Sequence, residues 1–192
     1  MIDPTSRRGL LCAGFFIAAL PALAPAARAD SPDRRLNTTI SGAGTVAFLA
    51  AGVGLPLLSD GRDGARHALR AADSLLVSTA LTEGLKALTR EKRPDSNAHD
   101  SFPSGHASSA FSVATVEAGL HPRQAPWWYL GASVIGASRV RLCRHTVGDV
   151  LAGAALGIGT ARAELAQPRG LILSPFITPD GGGAGVQVTR GL

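Results

Sequence analysis

Cysteine, aromatic residues and charge are all scarce in this sequence. Only two of the 192 residues are cysteines, which excludes a disulfide framework and a metal site built from paired cysteines. Aromatic residues make up 5% of the chain and the net charge is +5, whereas a nucleic-acid groove needs a basic stripe with aromatic side chains interleaved. The composition therefore predicts no nucleic-acid partner.

The charged fraction, 17%, is low for a soluble domain, and hydrophobic residues reach 45%. The length suits one domain with a real core. Residues 1–29 are typical of an export signal: two arginines, an apolar stretch over 10–24, and the small-x-small sequence Ala27-Arg28-Ala29. The alternative is an uncleaved first membrane helix. Residues 30–37 are polar and are predicted to form a linker.

Residues 38–165 are predicted to form an all-α bundle of about five helices. The first, Thr38–Leu58, carries no charge in 21 residues, so it is long enough to span a bilayer but equally suits a buried helix. Helical periodicity and breakers place the others at Ala71–Arg93, from Pro103–His106 to about Leu120, at Trp127–Ser138, and from Thr146 to about Ala163.

The tail, residues 166–192, differs in pattern from the bundle. Alternating and β-branched residues flank a glycine-rich turn, and this pattern predicts a short hairpin that pairs Leu171–Ile177 with Val186–Thr189.

The first cluster with chemical potential is KALTREKRP, which begins at Lys86. Lys86 and Arg93 are seven positions apart, about 20° short of two full helical turns. Both cations are therefore expected on one face at a helix end. Glu83 is placed to pair with Lys86 one turn away.

The second cluster is Pro103-Ser104-Gly105-His106. Proline suits the first turn of a helix, and the N–H groups that follow have no intrahelical partners, so they form an anion cradle. Gly105 lets an anion approach the backbone, the Ser104 hydroxyl can donate a hydrogen bond, and His106 can carry a proton near neutral pH.

The third cluster runs from Ser138 to Asp149. Arg139 offers a planar fork suited to phosphate. If a helix starts near His145, Asp149 lies one turn on and can accept the imidazole Nδ1–H, which leaves Nε2 bare and nucleophilic. Three cations, backbone donors and two differently placed histidines, with no acidic cluster for a metal, suit direct binding of a phosphoryl group.

Together, these motifs resemble those of the type 2 phosphatidic acid phosphatase and vanadium haloperoxidase superfamily. The pattern is K-x6-R-P, then P-S-G-H, then S-R-x5-H-x3-D, and every spacing fits within residues 86–149. The resemblance implies a helical bundle with the site at one end, between its second, third and fifth helices. It also implies that the enzyme hydrolyses phosphate monoesters or pyrophosphates through a phosphohistidine, with no metal and no cofactor.

The resemblance also implies residue roles. His145 is the expected nucleophile, Asp149 its orienting partner, and His106 the general acid that later activates water. The expected phosphate-binding residues are Lys86, Arg93, Ser104, Gly105 and Arg139. The remaining histidines, His67, His99 and His121, are expected to be solvated and receive no role.

Two alternatives remain at this point: a vanadium-dependent haloperoxidase, and a non-catalytic membrane protein with a relict site. The expected substrate is a phosphorylated lipid or small molecule. The expected location is the periplasm, with the protein soluble or associated with the membrane. The alternative is an integral inner-membrane protein whose active site faces the periplasm, with Gly61–Arg70 and His121–Gln124 as cytoplasmic loops.

Overall fold

Six α-helices and one short hairpin make up the described part of the chain, which in this computed structural model is residues 31–167, 173–177 and 184–188. The predicted leader, 1–29, lies outside these residues. The elements are α1 (Pro32–Thr39), α2 (Thr45–Ser59), α3 (Gly64–Thr89), α4 (Gly105–Leu120), α5 (Ala125–Arg141), α6 (Val147–Leu165), β1 (Leu173–Ile177) and β2 (Ala184–Val188).

The helices α1 and α2 are joined by a π-helical turn, Ile40–Gly44, into one continuous helix of 28 residues, Pro32–Ser59. The bundle therefore has five rods, and the all-α prediction is confirmed. Within the described residues this is the one helix that is long and apolar enough to cross a membrane.

The predicted linker at 30–37 is helical from Pro32 onward, so that assignment is wrong. The Ser31 hydroxyl accepts the Arg34 N–H at 3.3 Å, and proline occupies the first helical position. A side-chain cap followed by proline is a strong helix start, and it outweighs the polar composition that suggested a linker.

Helix α3 begins earlier and ends earlier than its pattern predicts. It starts at Gly64 and stops at Thr89, because Arg90 adopts a left-handed conformation (φ 47°) and its N–H bonds the Lys86 carbonyl. This is a left-handed helix cap. Arg93 therefore lies in the loop that follows, and the expectation that it shares a helix face with Lys86 is wrong.

Helix α4 is the centre of the bundle and packs against α2, α3, α5 and α6. Its buried face is made of small and branched residues that meet Trp128, Ala132 and Ile135 of α5. Trp128 belongs to this core and stacks edge-on against Phe48, whereas Trp127 is exposed. Buried hydroxyl pairs such as Thr82–Ser108, at 2.7 Å, fix α3 against α4.

Helices α4 and α6 approach closely because glycines of the GAALG sequence face α4. A Cβ on Gly157 would lie 2.2 Å from the Ser108 carbonyl oxygen, and one on Gly153 would lie 2.4 Å from that of Ser104. This small-residue spacing lets the two backbones touch, and it places the start of α4 beside the start of α6.

We expect Gly157→Ala to destabilise the protein by about 1–3 kcal/mol, because the new methyl group forces α4 and α6 apart. Gly159→Ala is the matched control: nothing lies within 4 Å of its Cβ position, so relief of glycine's backbone entropy should stabilise the helix by up to about 1 kcal/mol. Thermal melting of both variants measures the difference. Equal midpoints would contradict this account of the contact.

The tail forms the hairpin that its pattern predicts. Strands β1 and β2 are antiparallel, and Leu173 pairs with Val188 and Ile177 with Ala184. The strands differ slightly from the predicted ranges, Leu171–Ile177 and Val186–Thr189.

Candidate active site

The eight predicted site residues all lie at one end of the bundle. Helix α3 ends there and α4 begins there, and α5 ends where α6 begins, because successive helices run antiparallel. The long α3–α4 loop, residues 90–104, covers this end. The site was expected between the second, third and fifth helices of the bundle, which are α3, α4 and α6. The structure adds α5, which carries Arg139, and the N-terminal rod, which carries Ser41.

His145 lies just before α6 and is buried, with 3% of its surface exposed. Its Nδ1 is 2.8 Å from the Ser101 carbonyl oxygen. A carbonyl only accepts hydrogen bonds, so Nδ1 carries the proton and Nε2 is bare in the neutral ring. The loop thus orients His145 with Nε2 available as a nucleophile.

Asp149 is adjacent to His145 but is not its nearest acceptor. One Asp149 carboxylate oxygen lies 3.7 Å from His145 Nδ1, and it accepts the Ser101 hydroxyl at 2.7 Å and the Thr146 N–H at 2.8 Å. The Asp149 N–H in turn bonds the Thr146 hydroxyl, which completes a capping box at the start of α6. Asp149 therefore acts on His145 partly through Ser101, a residue that the sequence analysis missed.

The start of α4 presents donors without acceptors. No side chain caps this helix, and the N–H groups of a first helical turn have no intrahelical partner. The Ser104 N–H is the exception in this region, since it bonds the Asp149 carbonyl at 2.9 Å. The Ser104 hydroxyl is buried and, within residues 31–167, has no hydrogen-bond partner, so it can donate to a bound anion.

Lys86 projects from the last turn of α3 toward this helix start. A Cβ on Gly105 would lie 3.5 Å from the Lys86 Nζ, so the ammonium stands directly over the Gly105 backbone. Glu83 holds the same ammonium at 2.9 Å, as the sequence spacing suggested. The side chain of Lys86 is only 13% exposed, so water screens its positive charge less and its attraction for a nearby anion is stronger.

Arg93 reaches the site from the loop. Its guanidinium donates two bonds of 2.7 Å to the Asp100 carboxylate, and its N–H bonds the Ala98 carbonyl. Its positive charge nevertheless acts on His145, whose pKa it helps to lower. Asp100, which the sequence analysis did not single out, thus fixes the position of this cation.

Arg139 and His106 both contact Ser41 in the π-helical turn of the first rod. The Arg139 guanidinium donates to the Ser41 hydroxyl, and His106 Nε2–H donates to the Ser41 carbonyl at 3.0 Å. The Arg139 Nε is buried and lacks a partner in the described bundle. Ser41 was missed because its role depends on a π-helical turn, a feature often found at functional sites.

Both site histidines are weak bases in the folded protein. Burial, reinforced by the positive charges of Arg139 and Arg93, lowers the pKa of His145 to about 4. Burial and the charge of Arg139 lower the pKa of His106 to about 4, although its bond to the Ser41 carbonyl acts in the opposite direction. Both rings are therefore neutral near pH 7 when the site holds no anion.

A groove of about 450 Å³ leads from the site between the first rod and helices α3 and α4. Its site end is formed by Lys86, Gly105 and His106, and its far side includes the apolar residues Val46 and Leu49. A second cleft, of about 620 Å³, lies on the loop side of Lys86. The uncapped start of α4 thus adjoins open space, and the Lys86 side chain lines both clefts.

The histidines without a predicted role divide into two groups. His99 lines the loop-side cleft. His67 and His121 are not solvated as expected; they meet at the opposite end of the bundle around Asp60. Their contact joins positions that are distant in sequence, so local patterns gave no sign of it.

Comparison with known proteins gives matches to a family, to protein sequences and to a solved structure. The family model for the PAP2 superfamily matches residues 67–171, more than half of the chain. A lipid A 1-phosphatase of Porphyromonas gingivalis is 44% identical over 70 residues, which are 34% of this chain and 16% of that protein. The match thus spans about one sixth of that relative's length. The crystal structure of Aquifex aeolicus LpxE superposes with a TM-score of 0.52 at 25% identity, covering 70% of this chain and 93% of that one.

Proposed function

The chain belongs to the PAP2 superfamily, and on that premise we propose that it is a phosphatase that hydrolyses a phosphate monoester or pyrophosphate through a phosphohistidine at His145. Two buried donors carry the proposal. The Ser104 hydroxyl and Arg139 Nε both lack partners in the described bundle. Buried donors without acceptors are costly, and a tetrahedral oxyanion at the uncapped start of α4 would satisfy both.

In the first step the phosphoryl group lies in this cradle, with Lys86, Arg93 and Arg139 neutralising its charge. His145 Nε2 attacks phosphorus as the bond to the leaving oxygen breaks, and protonated His106 gives that oxygen its proton. In the second step neutral His106 takes a proton from water, the water oxygen bonds phosphorus, and the N–P bond breaks. The products are phosphate and the leaving group, which is an alcohol from a monoester and a second phosphate species from a pyrophosphate, and both histidines return to their starting states.

The pH dependence follows from the two lowered pKa values. In the free enzyme His145 is neutral above about pH 4 and His106 is protonated below about pH 4. We therefore expect kcat/KM to fall as pH rises above about 4. A bound phosphate offsets the charges of Arg139 and Lys86 and so raises the pKa of His106, and the alkaline limb of kcat should therefore lie at higher pH.

Initial rates from pH 3 to 8 at constant ionic strength measure both profiles. The alkaline limb of kcat is expected to disappear in His106→Ala, since no second proton donor replaces the imidazole. An alkaline limb that survives this substitution unchanged would assign the proton donor to another group.

The direct test of function is phosphate release from 4-nitrophenyl phosphate, a simple pyrophosphate and a phosphatidate in detergent micelles, with and without a chelator. We expect turnover of at least one ester and no loss of rate on chelation, because the proposed site uses no metal. Loss of all activity on chelation would refute the metal-free mechanism. Halide oxidation after vanadate loading, without phosphatase activity, would favour the haloperoxidase alternative.

The surface of the bundle supports a phosphorylated lipid as substrate and an association with the membrane. Large apolar side chains are exposed on α2, α3, α5 and α6, where a bilayer would cover them. The most exposed include Leu57, Leu58, Leu69, Leu76, Leu88, Trp127, Leu130 and Leu151. Micellar phosphatidate should therefore be hydrolysed with a higher kcat/KM than glycerol phosphate, which shares its phosphate but lacks its acyl chains.

Export to the periplasm is supported by the pattern of residues 1–29, which is typical of an export signal. We propose that the site faces the periplasm; arginines lie in the loops at both ends of the bundle and do not by themselves choose the orientation. Protease access to the 90–104 loop in intact spheroplasts tests this orientation.

A further inference from the structure

A second cluster of ionisable side chains lies at the end of the bundle opposite the candidate active site. Asp60 follows α2, His67 lies in the first turn of α3, and His121 follows α4. Helix α3 has 26 residues and is therefore about 39 Å long, with His67 in its first turn and Lys86 in its last. The cluster has no contact with the phosphoryl cradle.

The three side chains converge on one carboxylate oxygen. Asp60 Oδ2 lies 2.6 Å from His67 Nδ1 and 3.0 Å from His121 Nε2, and the three potential ligand atoms lie within 4.8 Å of one another. The two imidazole rings are nearly perpendicular, with centroids 6.0 Å apart. The side chains of His67 and His121 are 18% and 22% exposed, so the cluster is open to ions from solvent.

A second carboxylate stands behind His121. Glu117 Oε2 is 3.2 Å from His121 Nδ1, and the Glu117 side chain is only 2% exposed. Its other oxygen, Oε1, is buried and has no hydrogen-bond partner in the region 31–167. Two carboxylates therefore face two imidazoles, both ring nitrogens of His121 lie beside carboxylate oxygens, and one further carboxylate oxygen is left without a donor.

We propose that Asp60, His67 and His121 bind a divalent transition-metal ion of the zinc class. Two imidazole nitrogens and one carboxylate oxygen form a three-ligand set that zinc accepts, with water as a fourth ligand. His121 would bind through Nε2 while Nδ1–H donates to Glu117. This carboxylate–histidine–metal arrangement orients the ring and raises its basicity.

The geometry needs little adjustment. Ligand atoms about 2.0–2.1 Å from a tetrahedral ion are about 3.3 Å from one another, whereas Asp60 Oδ2 is now 2.6 and 3.0 Å from the two nitrogens. Displacement of the Asp60 carboxylate by less than about 1 Å, through its χ angles, opens the space. The ion would join the α2–α3 turn to the end of α4.

The test is equilibrium binding of Co²⁺ and Zn²⁺ to the untagged full chain in detergent, after removal of metal with a chelator. We expect one ion per chain, a tetrahedral Co²⁺ absorption spectrum that Zn²⁺ abolishes, and a higher melting temperature with Zn²⁺. His121→Asn should remove this binding, and His67→Asn should weaken it strongly. Glu117→Gln should weaken it by about 10–100-fold, since it acts only through His121.

The variant His145→Asn is the matched control, because it removes a buried histidine from the other end of the bundle. It should bind the ion as the native chain does. Binding that persists in His121→Asn and is lost in His145→Asn would place the ion in the phosphatase site and overturn the proposal. No saturable binding by a chain that melts cooperatively would overturn it as well, and would leave Asp60 as a hydrogen-bonded link between two helix ends. Neither result bears on the phosphatase proposal, whose assay is run with a chelator present.

Discussion

Replacing His145 by asparagine is expected to lower the rate of phosphate release by at least about 10³-fold, because no other group supplies a nucleophile at that position. The native ring is buried and neutral, with Nδ1–H held by the Ser101 carbonyl. Asparagine is smaller and polar and introduces no buried charge, so the fold should survive. Initial rates with 4-nitrophenyl phosphate measure the loss.

Two further measurements separate loss of the nucleophile from loss of the site. The variant should still be stabilised against thermal unfolding by inorganic phosphate, because Lys86, Ser104 and Arg139 remain. The native enzyme, quenched during turnover with radiolabelled substrate, should carry a phosphoramidate that is stable to alkali and labile to acid, and the variant should carry none. Undiminished turnover by His145→Asn would remove His145 from the role of nucleophile.

The convergence of the three motifs could be anticipated from sequence because it depends on helix ends. Proline and glycine mark the start of α4, and the threonine before Val147 marks the start of α6. In an antiparallel bundle such starts lie beside the ends of α3 and α5. Lys86, His106, Arg139 and His145 could thus be placed together without knowledge of any contact.

The missed parts of the site depend on backbone groups and on conformations that residue types do not specify. Every residue has a backbone carbonyl, so the sequence could not indicate that the Ser101 carbonyl accepts the hydrogen bond from His145 Nδ1. Asp149 was therefore predicted to be the acceptor, although it lies 3.7 Å away. Arg93 was placed on a helix because nothing marked Arg90 as left-handed. The first case depends on a tertiary contact and the second on a local helix cap, and residue types alone specify neither.

The role of Ser41 in the first rod also depends on a backbone conformation that its residue type does not predict. A π-helical turn shifts the hydrogen-bond register, so the Ser41 carbonyl is available to His106 and its hydroxyl to Arg139. The sequence ISGAG indicated only a helix weakened by glycine. The first rod, which its apolar sequence suggested to be a membrane span or a buried helix, thus also holds two side chains of the site in position.

His106→Ala is expected to have an effect that depends on the leaving group. For an alkyl phosphate, whose leaving oxygen needs a proton, we expect kcat to fall by about 10²–10⁴-fold. For 4-nitrophenyl phosphate the leaving group departs as a stable anion, so phosphorylation of His145 should be slowed much less. Hydrolysis of the phosphohistidine still needs a base, and it should become the slow step for that substrate.

The distinguishing observation is a burst. Rapid-quench kinetics of His106→Ala with 4-nitrophenyl phosphate should show nitrophenol released in a fast phase of about one equivalent, followed by slow turnover, with phosphoenzyme accumulating to match. Added imidazole, which can replace the missing base, should speed the slow phase. Equal losses for the alkyl and nitrophenyl esters, with no burst, would mean that His106 positions the phosphoryl group through its contact with Ser41 and carries no proton.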